Sequence, residues 1–233
     1  MTSSELTGLI ISYVYATGLL VVAELLRRRF GVGQELTRKF VHISAGMWVF
    51  GILGLFERWQ IGIIPFATFI GVNWLLYRYR LVKAIDSERD SPGTVYFAAA
   101  ITLLFALLWR PEGPLDRAPA AVAGVMALTW GDALAALVGV RLGRHRYRVG
   151  RSVRSWEGSA VMLLASALVI TLSLWLLPGS AFAPLAPPVG LGRALPGGLA
   201  AAAAATLAEA ISPHGTDNLS VPLVATGVAL ALA

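Results

Sequence analysis

Apolar residues run through this chain in long uninterrupted blocks, separated by short segments rich in Arg or in Pro and Gly. An α-helix rises 1.5 Å per residue, so about 20 apolar residues cross a hydrocarbon core of about 30 Å. On that scale the blocks predict eight spans, at 6–26, 40–56, 61–79, 93–109, 118–140, 158–177, 194–211 and 219–233. The seventh is mostly alanine and only weakly apolar, and the eighth is short. Together they occupy most of the 233 residues. The expected fold is an all-α polytopic transmembrane bundle, one membrane domain over 1–233, with no room for a separate soluble domain. The first block starts at Leu6 without a basic stretch before it and ends on Arg27, Arg28 and Arg29, which reads as a spanning helix rather than a cleaved signal.

The cations are sorted by connection. Residues 27–39 hold five Lys and Arg, 78–92 hold four and 141–157 hold six, out of 19 in the chain. The alternate connections hold only Arg58, Arg110, Arg117 and Arg193. The positive-inside rule therefore puts the rich connections in the cytosol and both termini outside, as in a multi-pass protein of the cell inner membrane. The same sorting explains the net charge of +6 without a nucleic-acid partner. Residues 178–198, with Pro178, Pro184, Pro187, Pro188 and Pro196, read as an irregular outer connection.

Five strongly polar groups fall inside the spans: Glu24, His42, Asn73, Asp132 and Glu209. Such groups are costly in lipid and each needs a reason. All five fall in the cytosolic halves of their helices, with Asp132 the deepest, roughly 12 Å from its helix end. A transporter would set polar groups at the midplane or along a whole path; this one-sided set predicts an embedded active site open to the cytosol. Glu24 lies one turn from Arg27 and Arg28 and reads first as a helix-end ion pair. Asn73 fits a bond across helices, and a lone histidine such as His42 is more often structural. Asp132 and Glu209 need a partner or a metal.

Composition agrees with this picture. The chain is 57% hydrophobic and 14% charged, against about 25% charged residues in soluble domains. There is no cysteine, which excludes disulfides, thiolate-bound zinc and thiolate catalysis.

Four cytosolic segments carry candidate chemistry. In the first, Arg38 and Lys39 precede His42, and Arg38 and His42 share a helix face; the group suits an anion, or it anchors the helix by snorkelling. In the second, Ser91-Pro92-Gly93 turns into a helix start that can face a phosphate. The third runs from Gly131-Asp132 through Gly139, Arg141 and Gly143 to an arginine-rich stretch (144–154) and then Ser155-Trp156-Glu157-Gly158-Ser159. Arginine forks match phosphate oxygens, glycines let backbone approach a ligand, and Asp132 suits Mg²⁺, which takes few carboxylates plus substrate phosphates. A basic loop resting on anionic lipid would explain the arginines but not the buried Asp132. The fourth gathers Glu209, His214, Asp217 and Asn218 with no Lys or Arg, a composition for metal binding or acid–base work; Asp217-Asn218 also reads as a helix N-cap.

These segments, in this order, resemble the phytol kinase and dolichol kinase family of membrane prenol kinases. The resemblance rests on Glu-Leu-Thr-Arg-Lys-Phe-Val-His-Ile-Ser-Ala-Gly (35–46), Gly-Asp-Ala-Leu-Ala (131–135), Gly-Val-Arg-Leu-Gly (139–143), Arg-Ser-Trp-Glu-Gly-Ser (154–159) and Asp-Asn-Leu-Ser-Val-Pro-Leu (217–223). Chain length and the last motif look more like the phytol kinase branch. The family's usual Lys-Ser before the Glu-Gly element is Arg154-Ser155 here. The resemblance implies CTP-dependent phosphorylation of a long-chain isoprenoid alcohol such as phytol, with the nucleotide at 131–158 and Mg²⁺ as cofactor. It leads us to expect Asp132 and Asp217 at the metal, and His42, Asp132, Glu209 and Asp217 as the catalytic set. Arg38, Lys39, Gly131, Gly139, Arg141, Gly143, Arg151, Arg154, Ser155, Glu157, Gly158 and Asn218 are the expected nucleotide contacts. Two other CTP-using activities fit the same inventory, a phosphatidate-type cytidylyltransferase and a diacylglycerol kinase; a transporter is the rival from another class.

Overall fold

The computed structural model describes residues 1–79, 92–113, 115–150, 152–213 and 215–232. Over the described residues it is an all-α polytopic bundle of eight helices: α1 (Ser3–Phe30), α2 (Gln34–Leu55), α3 (Trp59–Tyr79), α4 (Gly93–Leu108), α5 (Ala118–Leu142), α6 (Trp156–Leu176), α7 (Leu191–Ile211) and α8 (Asp217–Leu232). Five of them, α1, α3, α5, α6 and α7, are long and apolar enough to cross a membrane, and α4 and α8 are shorter apolar helices. The eight coincide with the eight expected spans. The largest difference is α2, which begins at Gln34 and so carries Arg38, Lys39 and His42 on its first turns. Large apolar side chains such as Ile10, Val14, Leu164, Leu168 and Leu207 point outward and are exposed, as a lipid-facing surface requires.

The helices are held by close approach of small residues, because lipid offers no hydrophobic reward for burying larger ones. Helix α5 is central and nearly wholly buried from Ala118 to Thr129. A Cβ on Gly124 would lie 2.1 Å from Thr226 Oγ1 of α8, one on Gly131 2.2 Å from Ser166 Oγ of α6, and one on Gly46 of α2 2.0 Å from Thr129 Oγ1. Three neighbours therefore press on α5 at contacts where only glycine fits.

Two local features differ from a plain reading of the sequence. Helix α5 is interrupted by a π-helical turn over Ala127–Asp132, an extra-residue insertion of the kind that recurs at functional sites. The arginine-rich connection after α5 is not an irregular loop. It is a β-hairpin, β1 (Arg146–Val149) paired antiparallel with β2 (Ser152–Ser155), and Gly150 at its tip has φ +58°. Of the connection expected to be irregular over 178–198, residues 178–190 are so, whereas 191–198, Pro196 included, already belong to α7.

Candidate functional site

The polar residues of α2, α5, α7 and α8 meet β2 at one end of the bundle. Lys39 Nζ donates to Asp132 Oδ2 at 2.6 Å, and both side chains are buried. Asp132 is the last residue of the π turn. His42, one turn further along α2, places Nε2 3.0 Å from the carbonyl oxygen of Leu128 within the same turn, and 3.9 Å from Asp132 Oδ2. A carbonyl can only accept, so Nε2 carries the proton of that bond and Nδ1 holds the lone pair. The His42 ring packs at 4.8 Å against Phe97 of α4.

Arg154, at the end of β2, binds the opposite wall. Its Nε lies 2.9 Å from Glu209 Oε1 and its Nη2 3.2 Å from Asp217 Oδ2. Burial works against the guanidinium charge, but the Glu209 and Asp217 carboxylates more than offset it, with a further contribution from Asp132, and hold the Arg154 pKa above its usual value. Asp217 opens α8 and is fully engaged: Oδ1 accepts from the backbone N–H of Asn218 at 2.9 Å and from its side-chain amide at 3.0 Å. The hairpin is positioned by Ser152 Oγ, which donates to the Ser212 carbonyl at 3.2 Å, and by Glu157, whose Oε1 lies 2.7 Å from His145 Nδ1. Ser155 caps α6 by accepting from the Gly158 N–H.

Lys39, His42, Asp132, Arg154, Glu209 and Asp217 line a cavity of about 650 Å³. Its charged end contains Lys39, Asp132, Arg154, Glu209 and Asp217, and it continues into an apolar arm between α1, α2, α3 and α4. Among the described residues no group of three or more His, Asp and Glu is disposed to hold a metal by protein ligands alone.

Aligned over 210 residues, the chain is 37% identical to the phytol kinase of Synechocystis sp. (strain ATCC 27184 / PCC 6803 / Kazusa), covering 90% of this chain and 84% of that protein. The chain belongs to the phytol kinase family. Two plant members are more distant: a probable phytol kinase 2, chloroplastic, of Oryza sativa subsp. japonica is 28% identical over 221 residues, and a probable phytol kinase 3, chloroplastic, of Glycine max is 29% identical over 237. They cover 89% and 92% of this chain, and it spans 69% and 70% of them. No family model matches the chain, and no solved structure matches it.

Within this phytol kinase family member, eleven of the expected site residues lie on the cavity wall: Arg38, Lys39, His42, Asp132, Gly139 and Arg154, with Ser155, Gly158, Glu209, Asp217 and Asn218. Four do not. Gly131 faces Ser166 and Met162, and Gly143 faces Ser155 and the Gly139 carbonyl, so both serve packing. Arg141 is exposed, and Glu157 holds the hairpin. Gly139 and Gly158 line the cavity and also pack closely, since a Cβ on Gly158 would meet the Ala135 carbonyl at 3.0 Å. Arg151, His214 and Ser91 lie outside the described residues. Glu24 takes the helix-end role, paired with Arg27 at 2.7 Å and Arg28 at 2.6 Å. Asn73 donates to the Thr94 carbonyl across α3 and α4 at 3.0 Å and also borders the cavity.

Sequence reasoning missed Arg146, which lines the cavity from β1, and the aromatic residues of the apolar arm. The hairpin itself was signalled, since Arg-Tyr-Arg-Val, Gly150, then Ser-Val-Arg-Ser alternates at the strand period about a turn residue, but Arg146 and Arg148 share a strand face and alternation does not single out Arg146. The aromatics carried no such signal, because a lining aromatic and a lipid-facing one look alike in sequence.

Proposed function

We propose that this protein transfers the γ-phosphoryl group of CTP to the hydroxyl of a long-chain isoprenoid alcohol, phytol or a close relative, at the cytosolic face of the inner membrane. The observation that carries this reading is the continuity of one cavity from an ion-paired, basic-rimmed end into an apolar arm. A phosphate chain suits the first and a hydrocarbon the second. CTP as donor and the cytosolic placement come from the resemblance and from the sorting of Lys and Arg along the chain.

In this reading Arg38, Arg146 and Arg154 face the nucleotide phosphates, and Lys39 holds Asp132 in place. Mg²⁺ fits the donor set. Asp132 lines the cavity and its Oδ1 accepts no hydrogen bond among the described residues, and Glu209 and Asp217 border the same space. One or two carboxylates plus substrate phosphates are what Mg²⁺ requires. Asp132 and Asp217 would hold it, with Glu209 and Asn218 behind them, and when bound it supplies neutralisation of phosphate charge. His42 stands where the charged end meets the arm, so the alcohol oxygen arrives beside it. That oxygen forms the new P–O bond as the β–γ bridging bond breaks and CDP leaves, and the hydroxyl proton passes to His42 Nδ1. Phosphoryl transfer is mostly positioning and charge stabilisation, and the paired walls hold both in place.

Label position tests this reading against the cytidylyltransferase alternative. With purified protein and phytol, γ-labelled CTP should yield labelled prenyl monophosphate and α-labelled CTP should yield labelled CDP. Label from the α position in the lipid product, with release of pyrophosphate, would overturn it. Diacylglycerol offered in place of phytol should remain unphosphorylated.

A further inference from the structure

The phosphoryl-transfer step takes place at the charged end of the cavity. The arm beyond His42 is built differently. On α2 the lining continues through Ala45 to Trp48, on α1 from Leu20 to Ser12, and on α3 from Asn73 to Pro65. Eight residues along α1 or α3 correspond to about 12 Å of depth. Past His42 and Asn73, among the described residues, no ionisable group capable of carrying charge at neutral pH lines these walls.

The deep part of the arm is lined by a hydrogen-bonded cluster of Tyr15, Trp48 and Ser12. Tyr15 stacks on Trp48 with ring centroids 4.1 Å apart and planes 18° apart. The Tyr15 hydroxyl donates to the Ser44 carbonyl at 2.8 Å, Trp48 Nε1 donates to Ser12 Oγ at 3.2 Å, and Ser12 Oγ donates to the Gly8 carbonyl at 2.8 Å. Every polar hydrogen of the cluster is therefore used within the protein, and ring faces and methylenes remain to meet an occupant. Phe66 and Phe69 of α3 form the facing wall.

We infer that this arm is the binding site for the hydroxyl-proximal part of the isoprenoid chain, with Tyr15 and Trp48 as its end wall and Ala45 setting its width. The inference rests on the kinase reading for the identity of the occupant. The arm is continuous with the charged end through His42 and Phe97, and the Tyr15–Trp48 cluster leaves no free polar hydrogen among the described residues of its wall. Lipid tails are as apolar as the arm, so moving a chain from bilayer to arm gains little from the hydrophobic effect. Selection must come from shape, which an aromatic-walled slot with a fixed end supplies.

The experiment uses the full-length protein in lipid nanodiscs and a phytol analogue with a photoreactive diazirine midway along its chain. Crosslinks should map to the arm, at Tyr15, Ala45, Trp48, Phe66 or Phe69, and unlabelled phytol should suppress them. Crosslinks confined to the outer apolar surface, at Leu164 or Leu168, or insensitive to phytol, would overturn the inference. Turnover of the analogue is scored separately: an analogue that is phosphorylated yet crosslinks only outside the arm defeats this inference and leaves the kinase reading standing. An analogue that crosslinks in the arm and is never phosphorylated does the reverse. As a second readout, Ala45→Trp should lower kcat/KM for phytol by about tenfold or more, while KM for CTP changes little. Trp48→Ala should shift preference toward bulkier chains. An unchanged kcat/KM for phytol in Ala45→Trp, with Trp48→Ala leaving the chain preference unmoved, would contradict the assignment.

Discussion

Lys39 and Asp132, 93 residues apart in the chain, meet side chain to side chain at 2.6 Å in the buried wall of the cavity. The pair ties the first turns of α2 to the π turn of α5. Breaking one partner of a buried pair leaves an uncompensated charge and costs about 3 kcal/mol or more, whereas replacing both by apolar residues can be neutral. Lys39→Met should therefore lower thermal stability in detergent and abolish turnover. The double variant Lys39→Met with Asp132→Leu should recover stability and remain inactive. A double variant as unstable as the single one would show that the pair does not act as a unit.

His42 is placed as the proton acceptor through Nδ1, with Nε2 held by Leu128. His42→Gln keeps an amide N–H for that carbonyl and loses the basic lone pair. Its kcat should fall about a hundredfold or more while KM for CTP stays unchanged. A proton acceptor must be neutral, so wild-type kcat should drop on the acid side as His42 protonates, and this limb should vanish in His42→Gln. A variant that retains both kcat and the acid limb would assign the proton to a carboxylate.

Gly46 is a packing position. A Cβ there would sit 2.0 Å from Thr129 Oγ1 and 2.7 Å from its methyl carbon, so Gly46→Val must push α2 away from the π turn. Overpacking of this kind costs about 1–3 kcal/mol. Thermal denaturation should show a lower midpoint, and activity should fall with it because Lys39 and His42 ride on the same helix. Gly18, with open space around it, is the control: Gly18→Ala should leave both unchanged.

Much of this arrangement was legible in the sequence. Eight apolar blocks match eight helices, five of them long and apolar enough to cross a membrane, because an uninterrupted apolar run without strand alternation leaves helix as its only membrane-compatible form. The polar residues His42, Asp132 and Glu209 converge because unpartnered charge is not tolerated among apolar helices. What was not legible depends on the third dimension. The π turn at Ala127–Asp132 leaves no mark on an Ala-Leu-Thr-Trp-Gly-Asp string. Gly131 and Gly143 look like ligand-approach glycines in sequence, and the structure gives their space to Ser166, Met162 and Ser155. Of the arginines around the hairpin, Arg146 and Arg154 line the cavity, while Arg144 and Arg148 are exposed and do not, a distinction that charge alone does not reveal.

Sidedness can be read directly, because the chain has no cysteine. Arg144 beside the hairpin and Glu112 at the other end of the bundle are both exposed. A membrane-impermeant maleimide applied to intact spheroplasts should label Glu112→Cys, and applied to inverted vesicles should label Arg144→Cys. The reverse pattern would place the site on the outer face, away from CTP.

The most direct test of the central claim, that one cavity brings a nucleotide and a membrane alcohol to the same carboxylate, is phosphoryl transfer by the wild type and Asp132→Asn side by side. In identical nanodiscs with phytol, γ-labelled CTP and Mg²⁺, the wild type should form labelled phytyl monophosphate. Asp132→Asn, folded and inserted to the same extent, should form none above background. Equal product from both proteins would contradict the account.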